Sequence, residues 1–233
     1  MHQRTKKIAE MKTKLLVIFL LLLALRPEAQ IIESIGIKSG MSFSNLDYKY
    51  ASSQLNTMYD IKTGIYLVAT AEAFTGKYLS VSTDLGFVQK GAQQEIELTT
   101  PDFPEGTGEF TLWKTTLGYL TFSPSLKATF SIRDACIYAL AGPRIDYRIV
   151  YSTSPLDSDP DEEMHKLIFG LSWGAGFEYR PGRFGFLIEL LGHPDFTPLL
   201  DLKPADNSLG LKITGKSFIL STGVRYMIEA KGK

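Results

Sequence analysis

From Lys166 to Arg183 the chain reads KLIFGLSWGAGFEYRPGR. Every second residue from Leu167 gives Leu167, Phe169, Leu171, Trp173, Ala175, Phe177 and Tyr179. The intervening set is Lys166, Ile168, Gly170, Ser172, Gly174, Gly176 and Glu178. One set is apolar and aromatic; the other is small, polar or charged, with Ile168 the exception. A period of two over this length specifies a β-strand with two unlike faces, because successive side chains of a strand point to opposite sides.

The pattern recurs. Eight such runs span roughly Ile35–Leu46, Lys62–Phe74, Tyr78–Gly91, Thr111–Phe130, Ala135–Tyr151, Lys166–Tyr179, Phe184–His193 and Lys216–Met227. Their connections alternate between short and long. The short ones carry turn residues: TGK at Thr75–Lys77, SIRD at Ser131–Asp134, RPGR at Arg180–Arg183. The long ones run to about fourteen to twenty-two residues and are polar. An antiparallel up-and-down sheet places all short turns at one end and all long loops at the other. That asymmetry belongs to outer-membrane barrels. The predicted fold is therefore all-β, an eight-stranded antiparallel up-and-down transmembrane β-barrel.

The strands divide consistently. Ile145, Tyr147, Ile149 and Tyr151 oppose Arg144, Asp146 and Arg148. Phe184, Phe186, Ile188 and Leu190 oppose Arg183, Gly185 and Glu189. Phe218, Leu220, Val224 and Tyr226 oppose Ser217, Ser221, Gly223 and Arg225. Three features put the apolar face outside. The loops sort by end. Aromatics gather in two bands, Tyr151, Phe169 and Phe218 near the long loops, and Phe130, Tyr179, Phe184 and Tyr226 near the short turns, as interfacial girdles do. Glycines crowd the polar face, at Gly36, Gly40, Gly64, Gly86, Gly118, Gly142, Gly170, Gly174, Gly176, Gly185 and Gly223. They suit a narrow lumen better than a wall facing water. A soluble periplasmic binding barrel, with the faces reversed, is the competing arrangement.

The first thirty residues differ from the rest. Lys12 and Lys14 precede the apolar run Leu15–Leu25, and a short polar stretch ends at Ala29-Gln30. Eleven apolar residues are too few to span a bilayer and match a secretory signal core. Residues 1–29 are expected to be a cleaved signal peptide and residues 30–233 the barrel domain. Met11 is a second possible start. The formal net charge is zero, which gives no electrostatic case for nucleic acid. The single cysteine, Cys136, excludes an intrachain disulfide.

Several segments resemble the PorT-like outer-membrane β-barrel family of Bacteroidota: IGIKSGMSFSNL at Ile35–Leu46, LGFVQKG in the third run, YALAGPRIDY in the fifth and FGLSWGAGFEY in the sixth. The resemblance covers the chain after the leader and describes a barrel rather than a chemistry. It implies an outer-membrane location. The family's name-giving branch is tied to protein secretion, and most members have no assigned activity.

Little in the sequence points to catalysis. The histidines are His2, His165 and His193; His193 precedes PDF, with Asp195 two residues on, and the one Gly-x-Ser-x-Gly match, Gly170–Gly174, lies inside the sixth β-run and not on a strand-to-helix turn, so no nucleophile elbow is expected to bring a serine beside it. A lipid-modifying barrel enzyme is the alternative reading, and a non-enzymatic barrel the expectation. Asp157, Asp159 and Asp161 have the spacing that opens a calcium loop. The sixth position is Glu162 and the twelfth Ile168, so the match fails, and segment 157–163 reads at most as a loose cation contact. No catalytic, cofactor or metal residue is assigned. The expected partners are outer-membrane lipid and lipopolysaccharide, with another envelope protein possible through the loops.

Ten charges are assigned to the lumen. Lys38, Lys127, Arg144, Arg148 and Arg225 face Glu72, Asp84, Asp146, Glu178 and Glu189. Balanced signs in a narrow space predict a paired network that fills the barrel.

Overall fold

The computed structural model describes residues 32–50, 60–97, 107–154, 164–202 and 210–228. The expected signal peptide, residues 1–29, and the acidic segment 157–163 lie outside the described residues. Nine strands form one sheet: β1 (Ile32–Tyr50), β2 (Asp60–Ala73), β3 (Leu79–Glu97), β4 (Phe110–Ile132), β5 (Ala135–Ser154), β6 (Leu167–Tyr179), β7 (Phe184–Pro194), the three-residue β8 (Leu200–Leu202) and β9 (Leu211–Met227). Each of β1 to β7 pairs antiparallel with the next, β7 pairs with β9, and β9 returns to β1. The closing seam runs unbroken from Ser34↔Met227 to Tyr50↔Leu211. Eight strands therefore make a closed ring, and β8 lies on the edge of β9 beyond the end of β7. Closure pairs every wall strand on both sides, which a backbone in hydrocarbon requires.

All eight expected strands are present. Most are longer than the sequence pattern marks, because polar residues continue the ladder above the apolar belt; β1 carries on through Asp47, Tyr48 and Lys49 to Tyr50. The short connections are as expected, with Arg133-Asp134 joining β4 to β5 and Arg180–Arg183 joining β6 to β7. The first of these is tight enough to hold Arg133 at φ 55°, and in the second Gly182 takes φ 68°. The connection from β7 to β9 departs from a plain loop, since it contains β8 and, before it, residues 195–199 hydrogen-bonded to Phe169 of β6 and to Ile213 and Gly215 of β9.

The apolar face is outside. Ile37, Ile65, Leu85, Leu126, Ile137, Phe177, Ile188 and Leu220, one from each wall strand, are all exposed. An apolar belt around the whole circumference far exceeds the patches that soluble proteins leave in water. A soluble binding barrel with the reverse orientation is thereby excluded. Phe130, Tyr179, Phe184 and Tyr226 stand exposed near the turns, and Phe169 and Phe218 near the loops. Phe184 and Tyr226 meet edge to face at 5.6 Å between ring centroids.

Two expected orientations are corrected. A register shift between β4 and β5 at Gly118/Tyr119 leaves Ile149 as an extra residue in β5. Ile149 and Val150 then both face out, and Tyr151 turns inward against the interior apolar cluster instead of joining the outer girdle. Gly118, on the opposite strand, faces outward: a Cβ there would meet the side chains of Phe87 and Val150. Most of the other glycines have the expected role. At Gly40 a Cβ would run into the backbone of Leu220 and Ser221 on β9, so only glycine allows β1 and β9 that close approach.

Candidate functional site: the charged lumen

Period two delivers a polar side chain into the lumen from every wall strand. Eight strands leave a bore only as wide as those side chains. Lys38, Lys127, Arg144, Asp146, Glu178, Glu189 and Arg225 are sealed from solvent, and Glu72, Asp84 and Arg148 nearly so. All ten charges read from the sequence are inside. Burying a lone charge is prohibitive, so each must find a partner. The partners come from strands across the bore, and they fall into three tiers.

The tier nearest the turns joins β2, β4, β6 and β9. Lys127 Nζ lies 3.1 Å from Glu72 Oε2 and 3.4 Å from Glu178 Oε2. Arg225 donates to Glu72 and lies 3.6 Å from Glu178. Ser80 donates to Glu72 as well, and Lys127 sits 4.1 Å from the centroid of the Tyr138 ring. Arg180, in the turn after β6, reaches in to Glu178 at 2.9 Å. Burial works against its charge, but the hydrogen bond and the charge of Glu178 outweigh it, and the Arg180 pKa is raised.

The middle tier is a triad. Lys38 Nζ lies 2.7 Å from Asp84 Oδ2 and 2.8 Å from Glu189 Oε2, so one β1 lysine ties β3 to β7. Tyr66 donates to Asp84 at 3.2 Å and Tyr138 to Glu189 at 2.7 Å. Each carboxylate thus has a cation and a phenol, and charge-assisted bonds of this kind are the stronger class.

The tier nearest the loops is a closed square of alternating charge. Lys90 Nζ lies 2.7 Å from Asp146 Oδ2 and 3.1 Å from Asp195 Oδ1. Arg144 Nε lies 2.9 Å from Asp146 Oδ2, and its terminal nitrogen pairs with Asp195. Arg144 also donates to the carbonyl of Leu171 at 3.1 Å. Lys90 and Asp195 are the two members not among the ten lumen charges read from the sequence. Lys90 was legible: it continues the β3 series Ser80, Ser82, Asp84, Gly86 by two further steps through Val88. Asp195 shares parity with Glu189 and His193, but it lies past Pro194, where the strand pattern stops.

Arg148 belongs to a different environment. Its described contacts include Met164 Sδ at 3.1 Å and the Tyr151 ring at 5.6 Å. Met164 and Tyr151 in turn pack against an apolar stopper that the sequence reading missed: Leu46, Leu117, Ile168, Leu199, Leu200 and Ile213 are all buried at the loop end of the bore. Ile168, the exception in the β6 alternation, was its only visible sign.

His193 needs a correction. Ser172 lies beside it after all, with Oγ 3.1 Å from His193 Nε2. The register brings this about, since β6 and β7 pair at Trp173↔Gly192 and the next inward residues are Ser172 and His193. Among the described residues Nδ1 has no partner, so no acid orients the ring as a triad requires. Asp195 turns instead to Lys90 and Arg144. Both Ser172 and His193 are 2% exposed, inside the bore. Among the described residues no group of three or more acidic, histidine or cysteine side chains is arranged to hold a metal.

The sequence model of a family described as outer membrane protein beta-barrel domain matches residues 29–192. No curated protein matches in sequence. Among solved structures, the outer membrane protein OprG from Pseudomonas aeruginosa superposes with a TM-score of 0.53 at 11% identity, covering 87% of this chain and 99% of its own. Outer membrane protein W of E. coli gives 0.40 at 11% identity, covering 86% and 100%. Ail, the attachment invasion locus protein of Yersinia pestis, gives 0.36 at 13% identity, covering 83% and 99%. Of these three only OprG superposes with a TM-score above 0.5, and at 11% identity that likeness bears on the fold alone.

Proposed function

The chain belongs to the outer membrane protein beta-barrel domain family, and from that premise we propose that it is a non-enzymatic barrel with a side-chain-filled lumen, acting through its loop end. Its place is the outer membrane. The observation that carries the reading is the three-tier ladder of ion pairs, which crosses the bore from the turn end to the loop end. A wall of that circumference with a filled interior has no open path. What remains accessible is the loop end, where contact with lipopolysaccharide or another envelope protein would take place. Assignment to the PorT-like branch rests on the strand motifs alone, and no role in secretion is carried over.

The test is electrical. Purified protein in a planar bilayer is expected to give no steady open-pore current. Large, regular conductance steps would replace the filled-lumen reading with a channel. The enzymatic alternative has its own test. His193→Ala is expected to leave the lipid A profile of the cells unchanged, and a lost modification would restore catalysis, with Ser172 as the neighbour to examine next.

A further inference from the structure

The outer face is not uniform. Ala128 on β4 pairs with Ala139 on β5, and Ala139 pairs with Ala175 on β6, so three alanines from adjacent strands stand side by side facing lipid. The same row meets Leu79 on β3 at one end and Leu190 on β7 at the other. The next outward row towards the turns is bulky throughout: Phe130, Ile137, Phe177 and Ile188. The three short side chains among these large ones leave a groove of about 780 Å³ in the wall, with Tyr78 at its turn-end corner. Its size is that of a ligand pocket rather than of a crease between side chains. The alanines of β2 are placed differently. Ala69 and Ala71 follow one another along a single strand, with Ile37 and Ile35 of β1 directly beside them.

The turns next to the groove are basic. Lys77 Nζ stands 4.9 Å from the centroid of the Tyr78 ring, which puts an ammonium group at the rim. Arg133, held at φ 55° in the turn from β4 to β5, is exposed three residues beyond Phe130. The turn from β6 to β7 adds Arg180 and Arg183. Asp134 is the one acid in these three turns. Arg180 turns inward to Glu178, while Lys77 and Arg133 remain on the surface.

We propose that this groove binds an anionic phospholipid of the periplasmic-facing leaflet, one acyl chain lying over Ala128, Ala139 and Ala175 and the phosphate between Lys77 and Arg133. Short turns mark the periplasmic end of such a barrel, so the cations lie at the headgroup level of that leaflet. Apolarity alone selects nothing in a bilayer, because lipid tails are as apolar as leucine. Shape and charge do select. A tail seated in the groove makes dispersion contacts on several sides that a smooth wall does not offer. Basic residues at a membrane surface attract anionic headgroups. A second copy of the barrel would bring its own ridge of large side chains to the groove and no phosphate to the turns. The site lies at the opposite end from the loop-end contacts proposed above and does not depend on the filled lumen.

The test is native mass spectrometry of the detergent-purified protein, titrated with phosphatidylglycerol or with phosphatidylcholine carrying the same palmitoyl and oleoyl chains. The wild type is expected to retain one phosphatidylglycerol, with half-saturation at no more than one-tenth of the concentration that phosphatidylcholine needs. Lys77→Gln and Arg133→Gln together should bring phosphatidylglycerol to the level of phosphatidylcholine. Ala139→Phe fills the groove from the lipid side and should raise the phosphatidylglycerol half-saturation at least fivefold, in protein whose folded band still migrates apart from the boiled one. Equal retention of the two lipids by the wild type would overturn the proposal, and that comparison stands even where a variant fails to fold. Phosphatidylglycerol retention unchanged by Ala139→Phe would overturn it too, by placing the lipid elsewhere. So would dimers of the wild type that Ala139→Phe dissolves, because the groove would then belong to a second copy.

Discussion

Lys38→Ala should be among the most destabilising single substitutions in the protein, with a loss of about 3–5 kcal/mol. Lys38 is fully buried and is the shared cation of Asp84 and Glu189. Its removal leaves two carboxylates facing each other across the bore with only the Tyr66 and Tyr138 hydroxyls for relief. Denaturant unfolding from lipid vesicles would measure the loss. Lys216→Ala is the control: that ion pair with Asp47 is solvent-exposed and 3.7 Å long, so the change should stay within about 0.5 kcal/mol. A further variant separates pairing from mere filling. Replacing Lys38, Asp84 and Glu189 together by Met, Leu and Met removes every charge of the triad and keeps much of its volume. It should recover most of the loss, because buried charge clusters contribute little net stability over well-packed apolar groups. Recovery falls short of complete because the two phenols lose their acceptors. If Lys38→Ala costs no more than Lys216→Ala, the triad is not a buried network.

The second large effect is on the outer face. Leu220 is exposed near the middle of β9, in register with Met41 on β1 and Leu190 on β7, both of them apolar and exposed. Leu220→Arg puts a guanidinium into hydrocarbon at a depth where the cost is about 2–4 kcal/mol, whereas Tyr226→Arg at the turn-end interface should cost about 0–1 kcal/mol. The same unfolding measurement applies. Equal costs at the two depths would mean that this face does not meet a bilayer. The contrast also explains why register is so firmly set. A slip of one residue in β5 would move Arg144 and Arg148 together into lipid, and the strand has no second pairing that avoids it.

The fold was legible because a membrane barrel writes its two environments into alternate residues. Ile145, Tyr147, Arg144 and Asp146 need no tertiary information to be sorted, and the alternation of short and long connections then fixes which end is which. Legibility stopped where a single residue breaks the period. The extra Ile149 in β5 inverts the strand above it, and nothing in IDYRIVY marks the bulge, so Tyr151 reads as an outer aromatic until the register is known. The lumen was legible residue by residue but not pair by pair. Lys38 and Glu189 are visible as inward charges; that they meet depends on the stagger of strands far apart in sequence. Asp195 was hidden for a different reason. It keeps the inward parity of Glu189 and His193 and is still hydrogen-bonded to the wall, but it lies past Pro194, where the alternation in the sequence stops. The apolar stopper was concealed likewise, because Leu199 and Leu200 lie beyond the seventh alternating run.

Which face meets lipid can be measured at one indole. Trp173 is about half exposed on β6, among the outward apolar residues. In a Trp113→Phe protein it is the only tryptophan left. Reconstituted in vesicles of lipids brominated along the acyl chain, its fluorescence should be strongly quenched, and aqueous acrylamide should have little effect. Quenching by acrylamide with no response to the brominated chains would contradict a barrel whose apolar face lies in the membrane and whose charges lie within.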